Sequence, residues 1–374
     1  MVAVSLVITP ASGASAHRGC ARGKLLSSTE LQVLTRDEVA AALRSVGLAS
    51  GASFGVRQSG VVYCTVAPSG RPAIASGLLV EPLRAHGRQA VVVYAHGTET
   101  ARFDAPSRLT SPESQLIPLV FAAEGFTVAA PDYLGLGVSQ LTHPYVHAAT
   151  EASASVDMLA AMGSKGGVFV TGFSQGGHSA MAIGQALSRS RGLMALAPIA
   201  GPYDMSGLAL QGVLDPDRTD PAIGAVYLAY FLYSWKVLYG IYSDPHEVFA
   251  APWASMVEGL FDGFHSVVEI AQALPDSPAE LLLPSAVAWL SNPDGRLLSA
   301  LRDNDVCHWA PKVPVRLYVG RLDRDVVPEH APRCRDQIAA AGGSAEVVDM
   351  GQLDHVGTAL ASLPMIRDWF LSLH

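Results

Sequence analysis

Residues 166–178, GGVFVTGFSQGGH, decide how the chain is read. A β-branched and aromatic run, Val168 to Thr171, leads directly into Gly172-x-Ser174-x-Gly176, and a helical pattern, GGHSAMAIGQALSRS, follows at once. A serine between a buried strand and a helix sits on a sharp turn that lifts its hydroxyl off the strand end, with glycines where neighbouring backbone leaves no room for a Cβ. The same letters recur at residues 51–55, GASFG, but there they follow a helical stretch and lie among small flexible residues. Without a strand before it or a helix after it, that copy reads as a loop.

Working outward from Ser174, apolar runs without in-out alternation recur at AVVVYAHG (90–97), FTVAAPDYLG (126–135) and LMALAPIAG (193–201). They are separated by helical patterns at 112–125 and 149–162, which predicts a mostly parallel sheet covered by helices on both faces. Upstream lie a helical stretch at TRDEVAAALRSVG (35–47) and β-rich runs at GVVYCTVAP and IASGLLVEP. The alternation stops near Pro202 and resumes at VPVRLYVGRLD (313–323), followed by a helix, the strand AEVVDMG and a last helix from about Thr358. The intervening residues, 206–310, predict a helical insertion into a core formed by 17–205 and 311–374. Its run from Ala222 to Tyr242 is long enough to span a membrane, but Lys236 interrupts it and no flanking charges anchor it, so it reads as a cap helix.

With 374 residues, 49% of them hydrophobic and only 16% charged, the chain has the composition of a globular protein with a large core. A net charge of −8 without a basic stripe excludes a nucleic-acid partner. Residues 1–16, MVAVSLVITPASGASA, combine an apolar run with a small-residue Ala14-Ser15-Ala16 end and predict a secretory signal peptide. In an exported protein the four cysteines predict two disulfides. Pairing near neighbours gives Cys20 with Cys64 and Cys307 with Cys334, although three connectivities are open. The cysteine and histidine spacings match no metal site, and no Gly-x-Gly-x-x-Gly follows a strand, so neither a metal nor a cofactor is expected.

A serine nucleophile needs a base, and the base an orienting acid. In the order Ser, acid, His, the base falls on His355, read as a loop residue between the last strand and the last helix. The acid falls on Asp323, just beyond the strand ending near Gly320, with Asp325 as competitor for a helix cap or solvent. Gln175, the residue after the nucleophile, supplies one oxyanion-hole N–H. The turn after AVVVYAHG supplies the second from Thr98, with Gly97 as the alternative. His96 and His178 read as structural, and Asp132 and Tyr133 as residues fixing their loop.

In order along the chain, YAHGT, PDYLGLG, GFSQGGH, GRLDRDVVP and DHVG resemble the α/β-hydrolases, and within them the secretory lipase family, which includes the fungal lipase A type enzymes and bacterial relatives. The resemblance runs from about residue 90 to the C-terminus. It implies an α/β-hydrolase fold, Ser174, Asp323 and His355 as catalytic residues, backbone donors at Thr98 and Gln175, and hydrolysis of a small-molecule or lipid ester. It also implies that the insertion caps the acyl site and touches a lipid interface. Acyl transfer to an alcohol and amide hydrolysis use the same three residues and stay open at this point.

Overall fold

The computed structural model describes residues 20–49, 51–84, 89–190 and 192–374. The expected signal peptide lies outside them. Among the described residues, β1 (Leu25–Leu34), β2 (Val56–Val66), β3 (Pro72–Pro82), β4 (Val91–Ala95), β5 (Thr127–Pro131), β6 (Val168–Phe173), β7 (Leu193–Ile199), β8 (Arg316–Val319) and β9 (Glu346–Asp349) form one sheet. The strand order is β1-β2-β3-β5-β4-β6-β7-β8-β9. From β5 onward all neighbours are parallel, whereas β1, β2, β3 and β5 pair antiparallel. The central strands are buried on both faces, which is why they carry continuous apolar runs.

Thirteen α-helices accompany the sheet among the described residues. Before β7 these are α1 (Arg36–Ser45), α2 (Pro112–Ala122), α3 (Ala148–Ala161) and α4 (Gln175–Leu187). Between β7 and β8 come α5 (Leu210–Leu214), α6 (Pro221–Tyr239), α7 (Val257–Leu260), α8 (Val267–Ala273), α9 (Pro278–Leu281), α10 (Pro284–Ser291) and α11 (Gly295–Asp303). After β8 come α12 (His330–Ala340) and α13 (His355–Leu373). Side chains of α3, α4 and α12 join one apolar cluster against the sheet, and those of α1, α2 and α13 join the cluster on the other face. The β7–β8 helices build a third cluster, centred on α6, that is separate from both.

α6 begins at Pro221 with Asp220 accepting hydrogen bonds from the Ala222 and Ile223 N–H groups, and ends at Gly240, whose φ of 58° is left-handed. Its Tyr230, Tyr233, Trp235 and Tyr239 pack within the third cluster, and no helix among the described residues is long and apolar enough to cross a membrane. The disulfides join Cys20 to Cys64, which ties the N-terminal arm to β2, and Cys307 to Cys334, which ties the end of the β7–β8 segment to α12.

β1 carries no strand signal in the sequence. It is an edge strand exposed on both faces, so nothing imposes apolar alternation on it.

Candidate active site

The turn at Ser174 is as tight as its sequence requires. Ser174 takes φ 59° and ψ −121°, a strained conformation for a non-glycine residue, and α4 starts at the next position. A Cβ on Gly172 would lie 2.2 Å from the Gly176 carbonyl oxygen, and one on Gly176 1.9 Å from that of Ala95. These contacts wedge the elbow against the end of β4, beside the loop that carries Gly97 and Thr98. The second copy of the motif behaves differently: the Ser53 hydroxyl donates to Glu124 on the surface, and its N–H bonds the Ala123 carbonyl at the end of α2.

Asp323 and His355 meet across the sheet edge. The His355 Nδ1–H donates to Asp323 Oδ2 at 2.7 Å, while Asp323 Oδ1 accepts the backbone N–H groups of Asp325 and Val326, both at 2.9 Å. Three hydrogen bonds thus fix the carboxylate, and the carboxylate fixes the imidazole with Nδ1 protonated. Nε2 is then the acceptor nitrogen; it is buried and has no hydrogen-bond partner among the described residues. The ring packs on Phe173, the residue before Ser174, at 4.5 Å between centroids.

His355 is the first residue of α13 rather than part of a preceding loop, because Asp354 caps the helix by accepting the Gly357 N–H at 2.7 Å. Asp325 neither caps a helix nor sits in solvent. It lines a cavity and accepts the Tyr227 hydroxyl at 3.2 Å.

The two expected backbone donors are treated unlike their neighbour. Gly97 N–H is occupied by Glu113 Oε1 at 2.8 Å, which also accepts the Tyr94 hydroxyl at 2.6 Å. The N–H groups of Thr98 and Gln175 have no such partner among the described residues. Beside Thr98, burial together with the charges of Glu113 and Asp104 raises the Glu99 carboxyl to about 9, so at neutral pH it adds no negative charge to this loop. His96 holds the loop by donating to the Gly97 carbonyl at 2.8 Å and packing its ring, tilted, against Tyr133 at 4.3 Å between centroids. Asp132 accepts the hydroxyls of Ser76 and Ser107 and pins the following loop.

Beneath the elbow lies a polar cluster with no signature in the sequence. The Gln175 side chain donates to Glu151 Oε1 at 2.8 Å and to His143 Nε2 at 3.0 Å. Burial lowers His143 to about 4, which keeps it neutral and able to accept this bond. Glu151 Oε2 accepts from His178 Nδ1 at 2.9 Å, and His178 Nε2 donates to the Asn304 carbonyl at 2.9 Å. A glutamate within the alanine-rich pattern of 149–162 looks solvent-facing in sequence. Only the packing of α3 on α4 buries it.

Ser174 and Gln175 floor a cavity of about 80 Å³. Its walls come from the β7–β8 helices, through Met205, Leu210, Val213, Tyr227 and Phe231, and from Asp325 to Val327 and His330. Of the aromatic residues between β7 and β8, Tyr227 and Phe231 line this cavity. Tyr230 stacks between Tyr145 and Phe261 instead, at 4.3 and 4.7 Å, and Trp235 is fully buried with its indole N–H donating to the Tyr145 carbonyl. Trp253 packs at the margin of the third cluster.

No protein-family model matches the chain, and no curated protein matches it by sequence. Solved structures do. The rice cell wall degrading esterase LipA from Xanthomonas oryzae is 30% identical with a TM-score of 0.87, over 95% of this chain and 100% of that one. A putative hydrolase from Legionella pneumophila is 28% identical with a TM-score of 0.87, over 94% and 98%. Candida antarctica lipase A, 14% identical with a TM-score of 0.72 over 96% and 83%, shares the fold.

Proposed function

Since the chain belongs to the lipase and esterase family of the α/β-hydrolases, we propose that it is a secreted serine esterase working through an acyl-enzyme on Ser174. His355 Nε2 takes the proton from Ser174 Oγ as that oxygen attacks the ester carbonyl, and the negative charge formed on the carbonyl oxygen is received by the N–H groups of Thr98 and Gln175. Such donors contribute about 2.7–4 kcal/mol each to the transition state. The imidazolium then protonates the leaving alcohol. Water, activated by the same nitrogen, releases the acid.

The observation that carries this reading is the Asp323–His355 bond at 2.7 Å, with the far imidazole nitrogen left without a partner. Residues 206–310 act as a cap over the cavity, a reading supported by the bonds from Tyr230 to the Glu99 carbonyl and from Thr100 to the His265 carbonyl, which tie the helices to the oxyanion loop. The small, largely apolar cavity favours a short acyl group over a long lipid chain. Secretion is supported by the two disulfides.

The test is hydrolysis of p-nitrophenyl esters from acetate to palmitate by the wild type and Ser174→Ala. We expect the short esters to turn over fastest and the variant to lose turnover while keeping its circular dichroism spectrum. Retained activity in Ser174→Ala would remove the nucleophile, and a preference for palmitate that rises at an emulsion interface would replace the esterase reading by a lipase one.

A further inference from the structure

The wall of the cavity above Ser174 is not uniformly apolar. Two polar side chains five residues apart in the chain, Asp325 in the β8–α12 loop and His330 at the start of α12, both line it. His330 is 3% exposed, and its Nδ1 accepts the Asp204 N–H at 3.2 Å. That bond requires Nδ1 to be bare, so Nε2 carries the proton, and among the described residues nothing accepts from it. Burial drives His330 down to about 3, which keeps the ring neutral and this donor in place at any working pH.

Asp325 supplies the complementary group. Its Oδ2 accepts the Tyr227 hydroxyl, whereas Oδ1 has no hydrogen-bond partner among the described residues. Burial raises its carboxyl above the ordinary range against the opposing charge of His355, and it lines the same cavity as Ser174. A carboxyl oxygen that a bound acyl group closes off from water costs free energy unless that group brings a donor to it. An unsubstituted alkyl chain has none to offer.

Resting on the esterase reading above, we propose that the cavity selects short acyl groups bearing a hydroxyl, which donates to Asp325 Oδ1 and accepts from His330 Nε2–H. A hydroxyl can do both at once, which a methyl or a keto oxygen cannot. The apolar side chains around the pair then hold the short carbon chain. Discrimination comes from Asp325 more than from the surrounding wall, because a bound acyl group without a donor shuts water away from its half-buried carboxylate and leaves Oδ1 unpaired, which costs more than one misplaced methylene.

The experiment compares kcat/KM for methyl 3-hydroxybutyrate and methyl butyrate by titrating the released acid, each divided by the rate of alkaline hydrolysis of the same ester to remove intrinsic reactivity. The normalised ratio is expected to favour the hydroxy ester by about tenfold or more, the worth of one hydrogen bond to a carboxylate. Asp325→Leu is expected to bring the ratio close to one, and His330→Phe to lower it less. Should Asp325→Leu fail to fold, Asp325→Asn, which keeps the volume, takes its place and is expected to reduce the ratio. A wild-type ratio of one or below overturns the inference while leaving the esterase intact, since methyl butyrate is still cleaved. So does a ratio that survives loss of the carboxylate, whereas failure to cleave either ester, or any other short ester, sinks the esterase reading and the inference with it.

Discussion

Two buried carboxylate–imidazole pairs lie close to the elbow, and they differ at a single nitrogen. In the Asp323–His355 pair the far nitrogen of the ring has no partner; in the Glu151–His178 pair it donates to the Asn304 carbonyl. A carbonyl can only accept, so both nitrogens of His178 carry protons and the ring is an imidazolium facing a carboxylate. Burial pushes the Glu151 carboxyl up, but the charge and hydrogen bond of His178 outweigh it and hold the group below its ordinary range. Burial likewise pulls His178 down, and the Glu151 charge, its hydrogen bond and the Asn304 carbonyl bring it above the usual histidine value. The same two functional groups therefore make a proton acceptor in one place and a clamp in the other. What decides between them is whether the second nitrogen is already spoken for.

The sharpest way to break this comparison is to remove each ring's contribution in turn. His355→Ala is expected to lower kcat on a short ester by about ten thousandfold, with a melting temperature within a few degrees of wild type. A variant within tenfold of wild type would dissolve the assignment of the base. Glu151→Gln is expected to act through stability instead, costing about 3 kcal/mol because the imidazolium loses its counter-charge inside the protein. Thermal unfolding followed by circular dichroism reads that cost. If Glu151→Gln melted like wild type and lost kcat alone, the second pair would be part of the chemistry, not a clamp.

A smaller effect concerns the charge beside the proposed oxyanion donors. Glu99 is neutral until pH nears 9, so ionisation above that value places a negative charge next to the Thr98 N–H while negative charge develops on the substrate. The pH profile of kcat/KM is expected to fall on its alkaline side, and Glu99→Gln to lift that limb by up to about tenfold, the scale of one charge interaction near a protein surface. An alkaline limb that is the same in both proteins would show that Glu99 lies out of reach.

The difference between the pairs also explains what is legible in the sequence. The strand-ending motifs can be read because each is forced by backbone: Gly172 and Gly176 by contacts under 2.5 Å, and Asp323 by its place just beyond β8. The roles of Glu151 and His143 cannot, since neither has a local pattern and both are buried only by how α3 and the loop before it pack under α4. Asp325 escapes a sequence reading for a related reason. It lies only two positions beyond Asp323, and the course of their shared loop alone sends one carboxylate to His355 and the other into the cavity.

The finest test of the comparison is the dependence of stability on pH. Glu151, held below its ordinary 4.5, contributes stability that is complete above that value and is lost as pH falls through its lowered folded-state value. His178, held above its ordinary 6.5, contributes stability that is complete below that value and is lost as pH rises through its raised folded-state value. The clamp is therefore at full strength between about pH 4.5 and 6.5. On either side it weakens by about 1.4 kcal/mol for every tenfold difference in proton affinity between the folded and unfolded chain. Glu99 tilts the same curve: its raised value adds a stabilising contribution that is complete below 4.5 and declines as pH climbs towards 9. The melting temperature of Glu99→Gln is thus expected to fall less with rising pH than that of wild type, leaving the alkaline loss due to His178 exposed. Removing the clamp in that background with Glu151→Leu and His178→Phe should flatten the curve between pH 7 and 9, above the range in which the lowered His143 and His330 make stability rise with pH. A curve that still falls between pH 7 and 9 with the pair gone would place the alkaline loss elsewhere than in the His178 imidazolium.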